Sequence, residues 1–206
     1  YKVIVVDCDN TLWKGVVGEG GVSSLIFDQN YLELQRFLVD LKNQGFLLCI
    51  CSKNIEIDIW AVFEHYADCM PLKKEHIVSW KVSWEKKSSS IQEISRELNL
   101  SLDSFIFLDD NPAEIHEVQI SLPQVECFQV PTIADEIPGF LKHIWLFDKA
   151  KIEVSDENRT EYYKQEKERK KIEATFYSYE DFLKELDVKL DILKLTEDQV
   201  GRISQM

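Results

Sequence analysis

The sequence predicts an α/β fold, a three-layer Rossmann-like parallel sheet with helices on both faces, and three observations predict it. Apolar runs without polar alternation recur at residues 2–7, 46–51 and 104–108, the pattern of strands buried on both faces. Stretches of helical period lie between them, so successive strands are joined by right-handed parallel crossovers. Each run also ends at a polar cluster, Asp7/Asp9, Ser52/Lys53 and Asp109/Asp110, and ligands of open α/β sheets bind beyond the carboxyl ends of the strands.

In chain order, residues 2–7 are β-branched and close on carboxylates. Gly15, Gly18, Gly20 and Gly21, four of only seven glycines, then mark a loop with tight turns. Residues 31–43 place Leu32, Leu34, Phe37, Leu38 and Leu41 at helical spacing, and Gln44-Gly45 is a stop. The second strand is followed by Ser52-Lys53-Asn54 and a helix through Ile57, Trp60, Ala61 and Phe63. Residues 91–98 form another amphipathic helix, and Asp109-Asp110-Asn111-Pro112 separates the third strand from a helix starting near Ala113. A fourth strand is expected over residues 125–130, punctuated by Pro123 and Pro131.

Between Thr11 and Ser52 there is room for a glycine loop and one helix, and between Ser52 and Lys87 for little more than a helix and a connection. The cap over any site is therefore minimal. From about Asp156 the composition shifts, with Lys, Glu, Arg and Tyr dominating residues 162–171, as in a solvated helix. A short amphipathic helix at 179–186 and a strand at 188–193 are expected beyond it. The organisation is a catalytic core over residues 1–150 and a C-terminal helical extension over 151–206.

With 45% hydrophobic residues in a chain of 206, a substantial core is available. Lys plus Arg number 24 against 37 Asp plus Glu, a formal charge of -13, which argues against binding nucleic-acid phosphates or an anionic membrane surface. No apolar run approaches the roughly 20 residues of a membrane span. Five cysteines without a CxxC spacing read as reduced thiols in a cytoplasmic protein.

Asp7-Cys8-Asp9-Asn10-Thr11 is followed by Ser52 after 45 residues, Lys87 after 35 more and Asp109-Asp110 after 22 more. A carboxylate attacks a phosphoryl group only when the repulsion between two anions is cancelled, which a divalent cation on oxygen ligands achieves. The ordered set resembles the four motifs of the haloacid dehalogenase (HAD) superfamily over roughly the first 130 residues. That resemblance implies Mg²⁺ held by Asp7, Asp9 (through its backbone carbonyl), Asp109 and Asp110. It further implies Asp7 as nucleophile, Asp9 as general acid/base, phosphate contacts from Thr11, Ser52, Lys53 and Asn54, and charge neutralisation by Lys87.

A closer resemblance is carried by Asp-Cys-Asp-Asn-Thr-Leu-Trp13, Gly-Val-Val-Gly-Glu-Gly-Gly21, Cys51-Ser-Lys-Asn54, Trp84-Glu-Lys-Lys-Ser88, Glu97-Leu-Asn-Leu100 and Phe107-Leu-Asp-Asp-Asn-Pro-Ala-Glu114. These look like the FkbH-like glyceryl transferase/phosphatases of polyketide pathways. The resemblance implies transfer of a glyceryl group from 1,3-bisphosphoglycerate, with dephosphorylation, through an enzyme thioester to an acyl carrier protein. Cys8 is the first choice for the thiol and Cys51 the second, although side-chain alternation along an extended strand turns Cys8 away from Asp7 and Cys51 away from Ser52. Two other readings stand beside it, an ordinary Mg²⁺-dependent phosphatase with Cys8 silent and a non-catalytic docking domain of a synthase.

Overall fold

The computed structural model describes residues 1–144 and 159–173, and the side chains of the latter stretch to 170. Five parallel strands form one sheet in the order β3-β2-β1-β4-β5. They are β1 (Val3–Val6), β2 (Leu47–Ser52), β3 (Ile77–Val82), β4 (Phe105–Asp109) and β5 (Glu126–Gln129). The helices are α1 (Val17–Gly20), α2 (Gln29–Asn43), α3 (Glu56–His65), α4 (Lys87–Leu98), α5 (Pro112–Ser121), α6 (Ile137–His143) and α7 (Arg159–Glu173).

Strand alternation divides the core into two layers. Ile4, Val6, Leu48, Ile50, Ile106 and Leu108 meet Leu34, Leu38 and Leu41 of α2 and Ile59, Val62 and Phe63 of α3 on one side. Val3, Val5, Leu47, Cys49, Phe105 and Phe107 meet Ile91 and Ile94 of α4 and Ile115 and Val118 of α5 on the other. Because both faces are covered, the three central strands contain only buried residues, which is why they read as unbroken apolar runs. Helix α2 stops at Gln44, and Gly45 takes φ +91° to turn the chain into β2, a conformation open to glycine at no steric cost.

The fourth predicted strand is β5. The expectation that only a helix and a connection fill the space between Ser52 and Lys87 is corrected by β3, an edge strand paired to β2. Its half-buried end mixes Trp80, Lys81 and Val82, with Lys81 paired to Glu93 at 2.8 Å, so neither a buried nor an alternating strand pattern is present. Helix α6 is a second unforeseen element; Pro138 sits in its first turn, where a missing N–H costs nothing. No inserted cap domain occurs among the described residues.

Residues Tyr1–Lys167 form one compact unit and Glu168–Met206 a second. The expected boundary at 150, the helix at 179–186 and the strand at 188–193 lie outside the described residues. Within the first unit, α7 is not simply solvated: Thr160 is buried, Arg159 donates to the carbonyl of Gly45 at 2.9 Å, and Lys167 lies 2.5 Å from Glu97 and over the ring of Trp80. No described helix is long and apolar enough to cross a membrane.

Gln35 couples three segments. Fully buried on α2, it donates to the carbonyl of Leu12 at 2.8 Å and accepts from the amide of Leu72 at 3.3 Å, tying the loop after β1 to the approach to β3. Replacing it with Leu leaves both backbone groups without partners, so urea denaturation of Gln35→Leu is expected to show a loss of about 2–4 kcal/mol.

Candidate active site

The chain runs outward from β1 through β2 to β3, then returns to the other side of β1 for β4. The carboxyl ends of β1 and β4 therefore form the topological switch point, where an open α/β sheet leaves a crevice. A polar cavity of about 390 Å³ lies there, lined by Asp7, Asp9, Asn10, Ser52, Lys53, Asn54, Lys87, Asp109, Asp110, Asn111, Pro112, Glu114 and Thr132. Most of the residues singled out from sequence thus meet in one place; Thr11, Cys8 and Cys51 do not line it.

Lys87 opens α4 and is 3% exposed, with its ammonium 2.7 Å from Oδ1 of Asp7 and 2.5 Å from Oδ2 of Asp109. Burial alone would lower the pKa of this lysine, but the two carboxylates outweigh it and raise the value. Asp109 is fully buried, and desolvation, reinforced by Asp7, raises its pKa against the pull of Lys87. Burial and then Asp7 push Asp110 up to about 6.

One ligand oxygen from each of Asp7, Asp109 and Asp110 falls within 4.8 Å of the others. Three carboxylates against one ammonium leave a charge of −2, which one divalent cation would neutralise, and carboxylate oxygens are the donors a hard cation takes. The raised carboxyl values come first from burial, and the neighbouring Asp7 charge adds to them. Oδ1 of Asp7, although close to Lys87, lacks an aligned hydrogen-bond donor. The residues present therefore fit a divalent metal.

Asp9 stands outside that trio. Its carboxylate accepts from Trp13 Nε1 at 2.9 Å, the amide of Val17 at 3.2 Å and Asn54 Nδ2 at 3.0 Å, so the segment after β1 and the loop after β2 together clamp it in one orientation. Asn10 between the clusters has φ +54°, a left-handed turn that Asn tolerates, and its side chain accepts from the amide of Gly15. Asn54 also donates to Ser52 Oγ at 3.0 Å, fixing the hydroxyl at the end of β2. Thr11, fully buried, donates to Asp110 at 3.4 Å and so supports an acid of the site.

The two thiols are placed less favourably than the resemblance implies. Cys8 is fully buried in the core on the α2/α3 side, and burial first, then Asp7 and Asp9, push its pKa well above the ordinary thiol range. Cys51 is packed in the opposite layer, and burial pushes it up to about 12. Both are free thiols. Alternation along the strand ends explains their positions, because the residues beside them face the cavity.

Glu114 and Glu117 are among the contributors not singled out from sequence. Glu114, in the first turn of α5, lies 2.6 Å from Lys53. Glu117, one turn later, accepts from the amide of Ser88 at 3.1 Å and its hydroxyl at 2.6 Å. Helix α4 has no side-chain cap of its own, so Glu117 meets the unsatisfied donors at the end that carries Lys87. Only the Asp-Asn-Pro-Ala-Glu spacing hinted at Glu114; the partner of Glu117 is 29 residues away and leaves no local signal.

The Lys87 pairing has a measurable cost when broken. In the metal-free protein, Lys87→Met strands two buried carboxylates and is expected to lower unfolding stability by about 3–5 kcal/mol in urea titrations.

No protein-family model matches the chain, and no curated protein matches it. Among solved structures, the N-terminal part of the protein BF1531 from Bacteroides fragilis, containing a phosphatase domain complexed with Mg, is 34% identical with a TM-score of 0.69; the match covers 73% of this chain and 41% of that one. The chain thus spans less than half the length of that relative. A HAD family enzyme from Bacteroides thetaiotaomicron, crystallised with magnesium and inorganic phosphate, is 12% identical over 64% of this chain and 95% of its own, with a TM-score of 0.49, a distance at which the likeness carries no chemistry. The parallel sheet, its switch-point acids and the 34% identity make the chain similar in fold and sequence to the BF1531 phosphatase domain.

Proposed function

We propose that the chain hydrolyses phosphate esters with Mg²⁺ and an aspartate nucleophile. The observation that carries the reading is the convergence of Asp7, Asp109 and Asp110 around a buried lysine in a polar cavity. The BF1531 phosphatase domain, complexed with Mg, supports it.

In this reading Asp7, Asp109 and Asp110 hold the metal, which when bound supplies positive charge against the phosphoryl oxygens. Asp7 contributes its other oxygen to phosphorus, forming an aspartyl phosphate as the alcohol leaves, and water then cleaves the acyl phosphate to regenerate the carboxylate. Asp9, held by three donors beside it, gives a proton to the leaving alkoxide and takes one from the attacking water. Lys87 neutralises charge on Asp7 and Asp109 and on the transferred group, while the Ser52 hydroxyl, held by Asn54, offers its hydrogen to one of that group's oxygens.

With p-nitrophenyl phosphate and Mg²⁺, Asp7→Asn is expected to lose at least about 10³-fold in kcat while remaining folded by circular dichroism. EDTA should abolish the wild-type rate and added Mg²⁺ restore it. A rate unaffected by both changes contradicts the proposal.

A finer reading is that the same site serves glyceryl transfer from 1,3-bisphosphoglycerate to an acyl carrier protein. The motif resemblance supports it, with Cys8, between Asp7 and Asp9 in sequence, as the thiol. Its burial means that acylation would need the β1 end to open. Intact-protein mass spectrometry after incubation with 1,3-bisphosphoglycerate tests this: a glyceryl adduct lost in Cys8→Ala supports transfer, whereas phosphate release without an adduct leaves hydrolysis alone.

A further inference from the structure

Two lysines line the cavity against five acids, Asp7, Asp9, Asp109, Asp110 and Glu114, a net of −3 that a divalent cation reduces to −1. Lys87 is wholly engaged by Asp7 and Asp109. Lys53, on the loop after β2 and 35% exposed, is the lining lysine on the solvent side, and Glu114 holds it at 2.6 Å with Oε1. The second oxygen of Glu114 is buried and meets no donor from the protein, so Lys53 is the protein cation paired with this carboxylate. The pair joins the loop after β2 to the first turn of α5 and so spans the cavity between the two elements.

A phosphoryl group seated over Asp7 directs its leaving group outward. An anionic leaving group would then need a cation on the solvent side, and Lys53, the lining lysine there, is already paired with Glu114. An uncharged leaving group incurs no such penalty. Selectivity of this kind arises from a built-in repulsive element as much as from attraction. We infer that Glu114 is a specificity-determining residue: by neutralising Lys53 it selects phosphomonoesters with an uncharged leaving group over those bearing a second anionic group.

The inference rests on the phosphatase reading, and the test separates the two. Glycerol 3-phosphate and phosphoglycolate have similar alkoxide leaving groups and differ in the carboxylate. Glu114→Gln frees Lys53 and is expected to shift relative kcat/KM toward phosphoglycolate by about fivefold, the effect of one partly exposed charge pair. The change should fall in the KM for phosphoglycolate rather than in kcat. The double variant Lys53→Gln/Glu114→Gln should return the ratio to the wild-type value. Calorimetric dissociation constants in an Asp7→Asn background, with Mg²⁺, should show the same shift without turnover, which keeps the outcome legible if hydrolysis itself is absent. An unchanged ratio in Glu114→Gln, or an equal shift in the double variant, overturns the inference. A gain for one substrate cannot come from partial unfolding.

Discussion

The site depends on holding like charges together. Asp7 and Asp109 come from neighbouring strands β1 and β4, and parallel pairing brings their carboxylates side by side in a nearly dry place. Unrelieved, that repulsion would force one of them to take a proton. The ammonium of Lys87, driven between them from the start of α4, makes the arrangement tenable. Breaking such a pair leaves a charge with no water to screen it, whereas the intact set carries an excess that only a further cation removes.

The surrounding elements follow from the need to keep that lysine and those acids in register. Glu117 caps the helix end that presents Lys87, and Asn111 donates its amide to Asp109 Oδ1 at 2.8 Å while capping α5 with its own side chain. Trp13, buried in the core, reaches back to Asp9. Hydrophobic packing and catalytic geometry are thereby linked: the layer that holds Trp13 against Phe63 and Phe27 also fixes the acid beside the nucleophile. Preorganised groups of this kind need little rearrangement as charge develops in a reaction.

How much of this is legible in one dimension follows from what a side chain must satisfy. Strands β1, β2 and β4 are covered on both faces and announce themselves by unbroken apolarity. Edge strand β3 sets Ser79 and Lys81 against Glu97 and Glu93 of α4 and Trp80 against Glu56 and Trp60 of α3, and helix α6 has a proline and a glycine at its second and third positions, so both escape a periodicity test. Spacing locates the acids at strand ends, and alternation along an extended strand turns the cysteines beside them away from the crevice. Cys8 and Cys51 sit one residue from cavity-lining side chains and lie in opposite core layers. Glu114 and Glu117 act through partners on other elements, and such pairings have no local signature.

The central claim is that Asp7, Asp109 and Asp110 share one divalent cation beside Lys87. Crystals grown with Mn²⁺ in place of Mg²⁺ test it directly through anomalous scattering. The account predicts a single strong peak within about 2.0–2.3 Å of carboxylate oxygens from Asp7 and Asp109, with Asp110 in its coordination sphere. A crevice without a peak at saturating Mn²⁺, or a metal held by other residues, would contradict it.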